Sequence, residues 1–314
     1  MHGRQLMWYY NCNIKLNTQK AISLQNLIKK GFPVPPTLFF NYSDNEESKK
    51  ATFSFLNSFT SKLYYIRLCF SDLKYPHYYG ELVESRNVIK SIDTVINKAN
   101  INGIKCYDVL VQPLQELAIS GSILVRGKKM LVESVFGAPQ TLFRDGNLNS
   151  RFILNNKNLI VEEFFLQKDS LLWNYSTSSW VRISNNNYVD KSILNIILEF
   201  DYDNDKLYEY GIDNNNQFWV FEEKKIPNNS YLSLDTIESN NDNDFLIFDN
   251  LYSEVLYIDL PVFSQVNKCI YNKKYIIKSG AYTAHLPLYL ALSKIACKFI
   301  RKSETEKHSS IEAL

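Results

Sequence analysis

The sequence has little net charge, few cysteines and no long apolar run, and each of these shortages excludes a class of protein. Among 314 residues, 35 Lys and Arg stand against 33 Asp and Glu, so the formal net charge is only +2. A dedicated nucleic-acid binder ordinarily carries a basic excess, and we therefore expect no nucleic-acid partner. The five cysteines have no CxxC spacing, which disfavours a zinc or thioredoxin-like site. Scattered, odd-numbered thiols favour a reducing compartment, and we expect a cytoplasmic protein.

Long hydrophobic segments and a P-loop are missing as well. The N-terminal residues lack the apolar core of a signal peptide. The most apolar late run, 286–300, contains Lys294 and Lys298 and is too short to span a bilayer, so we expect no membrane partner. The nearest match to a Walker A loop, 121–129, has one residue too many between its glycines and Lys where Ser or Thr should hold Mg²⁺. A P-loop nucleotide site is therefore excluded.

The residues that are present predict a globular α+β protein. Hydrophobic residues make up 45% and charged residues 22% of a chain long enough for one large or two to three modest domains. Apolar residues at helical spacing predict helices over 17–31, 89–100 and 192–200. Short apolar runs bounded by turn residues predict strands at 37–40, 63–67, 107–114, 120–125, 130–135, 245–248, 255–258 and 275–278. Strands with short turns are also expected within 152–165. We expect 166–190 to be irregular and the last helix to reach residue 300.

The stretch 207–224 predicts a hairpin that carries two facing carboxylates. Aromatic and β-branched residues form its arms, and one Asp with three Asn residues forms its bend. If Asn215 and Asn216 form a two-residue turn, Glu209 lies directly opposite Glu222. Like charges at such a position are destabilising, so the pair favours a bound cation, and Mg²⁺ suits carboxylate ligands. A solvated hairpin whose carboxylates point at water is the alternative that spacing leaves open.

Motifs near the start of the chain and in this hairpin match those of one known family. Lys20-Ala-Ile-Ser-Leu is followed by Gly31-Phe-Pro-Val-Pro-Pro, and the hairpin reads Leu-Tyr-Glu209-Tyr and then Phe-Glu222-Glu-Lys224. These motifs resemble the ATP-grasp nucleotide-binding domain of phosphoenolpyruvate synthase and pyruvate phosphate dikinase. Glu222 and Lys224 stand where that family has Gln and Arg. The resemblance implies an ATP site between two α+β lobes, with Lys20 and Lys224 on the phosphates and Glu209 and Glu222 on Mg²⁺.

Three further motifs extend the resemblance. Arg67 ends a strand where the family has Val-Arg-Ser-Ser, and a Gly-Glu-Leu-Val-Glu-Ser-Arg-Asn87-Val block follows it. Gln112-Pro-Leu114 is similar to the family's Val-Gln-x-Met hinge beside adenine. Gln140 stands where the family's Gly-Leu-Gly-Glu has its Glu. The resemblance implies that Arg67 clamps a phosphate as a catalytic residue, for which its donor fork is suited. It also implies that Gln112, Leu114 and Gln140 contact the nucleotide.

A segment in the last third of the chain has the pattern of a phosphoryl-carrying loop. It runs Ser-Gly280-Ala-Tyr-Thr283-Ala-His285-Leu-Pro-Leu-Tyr-Leu-Ala291. It resembles the signature of the same family's phosphohistidine domain, and an imidazole near a helix N-terminus can accept a phosphoryl group. The resemblance implies four regions: an ATP-grasp domain at 1–230, a linker at 231–244, a small swivelling β/α phosphohistidine-type domain at 245–302 and a polar tail at 303–314.

Together these resemblances imply an ATP-dependent phosphotransferase. ATP and Mg²⁺ are the expected cofactors, and His285 would pass a phosphoryl group to an unidentified small-molecule acceptor. No region resembles the phosphoenolpyruvate/pyruvate barrel, so a separate acceptor-domain chain is one candidate partner. Two alternatives stay open. One is a degenerate ATP-binding sensor without catalysis. The other is an ATP-grasp ligase that forms an acyl phosphate and does not need His285.

Overall fold

The computed structural model describes most of the chain and groups it into two compact units. The first unit comprises Met1–Gln115 and Trp219–Lys224, and the second comprises Glu116–Phe218 and Lys225–Leu314. The predicted linker 231–244 and tail 303–314 lie outside the described residues. The described residues are 9–10, 16–41, 46–59, 61–70, 79–104, 106–165, 169–174, 176–177, 179–184, 187–226, 245–248, 255–258, 274–277, 281–292 and 297–299.

The first unit is built on a five-stranded sheet. Its strands are β1 (Tyr9–Tyr10), β2 (Thr37–Asn41), β3 (Leu63–Phe70), β4 (Tyr79–Glu84) and β5 (Tyr107–Pro113). Their order is β1-β2-β5-β3-β4, and every pair except β1–β2 is antiparallel. The helices of the unit are α1 (Gln19–Lys29), α2 (Glu46–Ser58) and α3 (Val88–Ile101), with a short 3-10 turn at Ser85–Asn87 before α3.

Helix α3 shows how the hydrophobic pattern builds the core of this unit. Its apolar residues recur at a spacing of three and four, which places them on one face of a helix. That face is buried and packs with apolar residues of β3 and β5 in one cluster. Each fully buried aliphatic side chain contributes about 1.5–3 kcal/mol relative to its exposed state. The buried apolar residues of α3 are Val88, Ile92, Val95, Ile96 and Ala99.

The second unit contains a larger antiparallel sheet. Its strands are β6 (Leu117–Arg126), β7 (Lys129–Phe136), β8 (Ser150–Asn155), β9 (Asn158–Phe164) and β12 (Lys206–Asp213), in the order β12-β6-β7-β8-β9. A separate hairpin pairs β10 (Asp169–Asn174) with β11 (Ser179–Ser184). Two short helices complete this part, α4 (Gln140–Phe143) and α5 (Ile193–Ile197). Strand β13 (Phe218–Lys225) follows β12 along the chain, and its residues Trp219–Lys224 are grouped with the first unit.

A four-stranded sheet follows later in the chain. Its strands are β14 (Phe245–Phe248), β15 (Val255–Ile258), β16 (Lys274–Ile277) and β17 (Cys297–Phe299), in the order β14-β17-β16-β15. Helix α6 (His285–Leu292) precedes β17, and Pro287 lies in its first turn, where a missing backbone N–H is tolerated. Within the described part of the chain, no helix has the length and apolar character needed to cross a membrane.

The mixture of helices with largely antiparallel sheets confirms the predicted α+β class. Two local predictions are wrong. Residues 166–190 contain the β10–β11 hairpin, in which Trp173 and Trp180 pair directly across the strands, and such aromatic pairs outweigh a polar composition. The last helix does not reach residue 300, because Cys297–Phe299 pairs as a strand with β16. Sheet pairing there overrides the helical periodicity of the sequence.

Candidate functional site

The start of α1 is held by a buried carboxylate from β5. Asp108 is fully buried, and its oxygens accept the backbone N–H groups of Asn17 at 2.9 Å and Thr18 at 2.7 Å. The hydroxyl of Thr18 also donates to Asp108, at 2.6 Å. A buried carboxylate must be paired or hydrogen-bonded, and a helix N-terminus favours negative charge. These bonds therefore fix the first turn of α1, in which Lys20 is the second residue.

Lys20 reaches strand β13, where it meets two of the predicted site residues. Its Nζ atom lies 2.6 Å from Oε2 of Glu222, and Nζ of Lys224 lies 3.6 Å from the same oxygen. The Glu222 side chain is only 9% exposed, and the two lysine side chains are 28% exposed. The structure thus brings Lys20, Glu222 and Lys224 together within the first unit.

Ser23 and Lys30 of α1 keep the helix against β13. The Ser23 hydroxyl donates to the carbonyl oxygen of Glu223 at 2.7 Å and accepts the N–H of Glu223 at 2.9 Å. Lys30 pairs with the Glu223 carboxylate at 3.3 Å. One turn of helix separates Lys20 from Ser23, so these contacts set the distance between Lys20 and Glu222.

Arg67 lies near the same group of charges. Burial raises the pKa of the Cys69 thiol on β3 to about 12, while Lys20 and Arg67 lower it and Glu222 and Asp108 raise it. Four charged groups therefore act on one buried thiol. We call Lys20, Arg67, Glu222 and Lys224 the charged cluster. The guanidinium of Arg67 lies over the ring of Tyr65, 5.2 Å from its centroid, which favours a fixed orientation of the cation.

The two predicted hinge residues make contacts inside the first unit. The side-chain amide of Gln112 is buried and donates to the hydroxyl of Thr37 at 2.8 Å, which joins β5 to β2. The backbone N–H of Leu114 donates to the carbonyl oxygen of Leu63 at 2.9 Å. Gln112 and Leu114 therefore have structural partners here, and a role for either in binding adenine stays a prediction.

The turn after β12 differs from the two-residue turn that was assumed. The N–H of Asp213 donates to the carbonyl oxygen of Gln217, and the N–H of Asn216 donates to that of Asp213. Asn216 has φ 60°, the left-handed conformation that Asn tolerates. The turn thus holds three residues, 214–216, and Asp213 and Gln217 close it. The assumed two-residue turn is therefore wrong, and the alignment of Glu209 with Glu222 stays a prediction.

Glu209 belongs to a polar row that crosses the sheet of the second unit. It pairs directly with Ser122 on β6, which pairs with Glu133 on β7. Glu133 pairs with Arg151 on β8, and Arg151 pairs with Glu163 on β9. Directly opposed residues share a face of the sheet, so these five side chains line one face. We call them the polar row.

A buried ion pair occupies the centre of the polar row. Nε and Nη2 of Arg151 both lie 2.9 Å from Oε1 of Glu133, and Nη1 lies 2.8 Å from the Glu163 carboxylate. Burial would lower the pKa of Arg151, but Tyr282, Glu133 and Glu163 raise it above its ordinary value, so the guanidinium stays charged. Removing one partner of a buried pair leaves an uncompensated charge, which makes this pair costly to break.

The loop before His285 is bound to the same carboxylate. The N–H groups of Tyr282 and Thr283 donate to the two oxygens of Glu133 at 2.9 Å, and the Thr283 hydroxyl donates at 2.6 Å. His285 is the first residue of α6, and its ring stacks on Phe143 of α4 with 5.5 Å between centroids. The Tyr282 and Thr283 donors of the loop before α6 therefore already bind an anionic group, Glu133.

Gln140 is the first residue of α4, three residues before Phe143. The preceding Gly137 has φ 76°, and an added Cβ would lie 2.5 Å from the carbonyl oxygen of Leu171. Only glycine fits this close approach of two backbones. The position of Gln140 is thus fixed by a glycine turn in the second unit, and its contact with a nucleotide stays a prediction.

The acidic residues do not form a closed metal site in the described part of the chain. No group of three or more His, Cys, Asp or Glu residues there could hold a metal ion. Mg²⁺ commonly takes only one or two carboxylates together with substrate phosphates, so Glu222 beside the cluster cations fits that donor set. The binding of one Mg²⁺ ion by both Glu209 and Glu222 stays a prediction.

Sequence reasoning missed the residues that organise both units. Asp108 and Glu133 are fully buried acids within otherwise apolar strands, and Arg151 is buried beside Glu133. The signal was present, because an acid inside a run such as Tyr-Asp108-Val-Leu-Val or Leu-Val-Glu133-Ser-Val must find buried partners. What the sequence does not give is the identity of those partners, which lie 90 and 150 residues away.

No protein-family model matches the chain, and no curated protein matches it. Among solved structures, D-alanine-D-alanine ligase from Coxiella burnetii is similar at 12% identity, with a TM-score of 0.36 over 67% of this chain and 48% of that one. N5-carboxyaminoimidazole synthetase from Staphylococcus aureus, complexed with ADP, is similar at 14% identity, with a TM-score of 0.34 over 67% of this chain and 45% of that one. The macrocyclase MdnC from Microcystis aeruginosa, bound with its precursor peptide, is similar at 13% identity, with a TM-score of 0.32 over 65% of this chain and 51% of that one.

The chain spans about half the length of these solved structures. With TM-scores below 0.5, the similarities carry no argument about the fold or the activity of this chain.

Proposed function

We propose that the charged cluster binds the phosphates of ATP and that the protein is an ATP-dependent enzyme of the ATP-grasp type. The observation that carries the proposal is that Lys20 and Lys224 converge on one oxygen of Glu222, while Arg67 acts on the same buried Cys69 thiol as Lys20 and Glu222. These cations come from a helix and two strands that are distant in sequence. Three cations against the carboxylates of Glu222 and Asp108 leave an excess of positive charge. Phosphoryl transfer depends mainly on such positioning and electrostatics.

Glu222 has a specific part in this proposal. Its Oε2 atom holds both lysines, and a phosphate that takes the lysines would release the carboxylate. Glu222 would then serve as a ligand of Mg²⁺, which neutralises charge on the phosphates when it is bound. Glu209 stays the predicted second ligand.

For the reaction, we propose the formation of an acyl phosphate, as in an ATP-dependent ligase. A carboxylate oxygen of the substrate attacks the γ-phosphorus, the bond from that phosphorus to the β–γ bridging oxygen breaks, and ADP leaves with that oxygen. Lys20, Lys224 and Arg67 would bind the phosphate oxygens on which negative charge accumulates. A second substrate nucleophile then displaces phosphate from the acyl group.

The contacts of Glu133 favour this reaction over transfer through a phosphohistidine. A swivelling carrier would have to give up three hydrogen bonds from the 282–283 backbone and hydroxyl to Glu133. Glu133 would then remain buried with only Arg151 among these partners, and a buried carboxylate without its hydrogen bonds costs free energy. The phosphohistidine route is the second candidate, because His285 begins a helix directly after a loop that binds an anionic group.

Turnover of ATP labelled separately at the β and γ positions tests the proposal. With Mg²⁺ and a panel of carboxylic acids plus hydroxylamine as the nucleophile, we expect ADP, γ-derived phosphate and a hydroxamate, at equal rates in wild type and His285→Ala. Acid-labile β-label on the protein, lost in His285→Ala and accompanied by AMP, would replace the ligase with the phosphohistidine enzyme. Tight ATP binding without any product would reduce the function to that of a sensor.

A further inference from the structure

Asp108 makes contacts that tie it to Lys20 through a short segment of backbone. Its carboxylate accepts donors only two and three residues before Lys20, from Thr18 and Asn17. Longer bonds to the other carboxylate oxygen come from the Asn17 backbone N–H at 3.1 Å and from its side-chain amide at 3.4 Å. Asp108 itself is fixed in the sheet, where it pairs directly with Cys69 on β3 and with Asn41 on β2.

Helix α1 depends on this carboxylate because it has no side-chain cap of its own. Thr18 occupies the N-cap position, yet its side chain makes no capping bond to the helix and donates its hydroxyl to Asp108 instead. The first turn of α1 also carries no acidic residue. Asp108 thus supplies from β5 the negative charge and the acceptors that a helix N-terminus ordinarily takes from its own residues.

The position of Lys20 is therefore set from both sides. Asp108 holds the backbone before it, and the bonds between Ser23 and Glu223 hold the backbone after it. With both anchors in place, the flexible lysine stem reaches Glu222. A displacement of about 1 Å in a group that binds a reacting phosphate is enough to cost a large part of its effect.

We propose that Asp108 is a positioning residue for the phosphate-binding function of Lys20, an inference that rests on the proposed function. Asp108 touches neither the nucleotide nor the metal in this account. It acts through the α1 backbone, so its removal should weaken the recognition of phosphates and leave the recognition of the nucleoside unchanged. A purely structural role would instead lower stability and reduce all binding in proportion to the folded fraction.

A double-mutant cycle on the full chain separates these roles. The variants are Asp108→Asn, Lys20→Met and their combination, with Asp93→Asn, an exposed acid on α3, as the matched control. Dissociation constants for ATP and adenosine are measured by displacement of a fluorescent ATP analogue, and thermal unfolding is recorded in parallel. We expect Asp108→Asn to weaken ATP binding about tenfold with adenosine unchanged, as for loss of one charged hydrogen bond.

The decisive result is the combined variant. If Asp108 acts through Lys20, adding Asp108→Asn to Lys20→Met causes no further loss of ATP affinity. Additive losses, or equal losses for ATP and adenosine, would overturn the inference. If Asp108→Asn does not fold, Thr18→Val removes the hydroxyl bond alone. A selective loss of ATP affinity of about threefold is then expected, and no loss overturns the inference. A wild-type protein that binds no ATP refutes the proposed function itself, which is a different outcome.

Discussion

Nζ of Lys20 lies 2.6 Å from Oε2 of Glu222, although 202 positions separate the two residues in sequence. Glu222 is nearly buried, and the same oxygen also faces Lys224. A buried carboxylate shared by two lysines can release them to a competing anion only if another cation takes their place. This relationship is why we regard the cluster as a binding site for phosphates together with a metal ion.

Glu222→Gln should separate the two roles of that carboxylate. The amide no longer neutralises the lysines, so the variant should bind metal-free tripolyphosphate more tightly, by about fivefold for a partly exposed pair. Turnover of ATP with Mg²⁺ should fall, because a carboxylate ligand is lost. Titration calorimetry in the presence of a chelator measures the first effect. Unchanged or weaker tripolyphosphate binding would show that Glu222 does not restrain the lysines.

Glu133→Gln should destabilise the protein far more than Glu163→Gln. Both carboxylates contact Arg151, but the Glu133 side chain is fully buried and the Glu163 side chain is 38% exposed. Breaking the buried pair should cost about 3–5 kcal/mol in the free energy of unfolding, whereas the exposed partner should cost less than about 1 kcal/mol. Urea unfolding at pH 7 gives both values. Equal losses in the free energy of unfolding would mean that burial does not determine how much each carboxylate contributes to stability.

Gly121→Ala should be among the most damaging small substitutions in the second unit. An added Cβ would collide with the carbonyl oxygen of Glu133 and lie 2.7 Å from the ring of Tyr210. The Tyr210 ring cannot easily move away, because its hydroxyl is hydrogen-bonded to Ser134 at 2.7 Å.

Gly127→Ala is the matched control for this substitution. Gly127 has φ 59° and open space around it, so the variant should lose only about 1 kcal/mol. Thermal unfolding compares the two variants. A Gly121→Ala protein as stable as Gly127→Ala would contradict the close packing of β6, β7 and β12.

Cys69 should be inert to thiol reagents although it lies among charged residues. It is buried with a pKa raised to about 12, whereas Cys106 is exposed. Peptide mapping after iodoacetamide treatment at pH 8 should find Cys106 modified and Cys69 unmodified until the protein is unfolded. Modification of Cys69 at the rate of Cys106 would show that the cluster is open to solvent at this thiol.

One part of the pH dependence of stability at alkaline pH comes from the same thiol. The pKa of Cys69 in the folded protein lies above its ordinary value of 9.0, so the folded state holds this proton more tightly. Its contribution to stability is complete below pH 9.0 and is lost as the pH rises through about 12. Urea unfolding over this range should show a smaller loss of stability in Cys69→Ala than in wild type. The same loss in both would exclude the thiol as the cause.

Local patterns predicted the fold class and several elements, and family resemblance named all four residues of the charged cluster as candidate site residues. Helix α1 and strand β3 follow from apolar periodicity, and the Lys20 and Glu222 motifs follow from family resemblance. The partners of Asp108 and Glu133 could not be predicted, since long-range hydrogen bonds leave no local signal. The turn at Asn216 was misjudged because a run of three Asn residues permits both a two-residue and a three-residue turn.

The most direct test of the account is the affinity for ATP with Mg²⁺ of Lys20→Met beside Lys29→Met. Both lysines lie on α1, but Lys20 contacts Glu222 and Lys29 is exposed at the end of the helix. We predict that Lys20→Met weakens ATP binding by about 10- to 100-fold, the loss of one charge-assisted hydrogen bond to phosphate, and that Lys29→Met leaves it unchanged. Equal affinities for both variants and wild type would contradict a phosphate site at Lys20 and with it the proposed function.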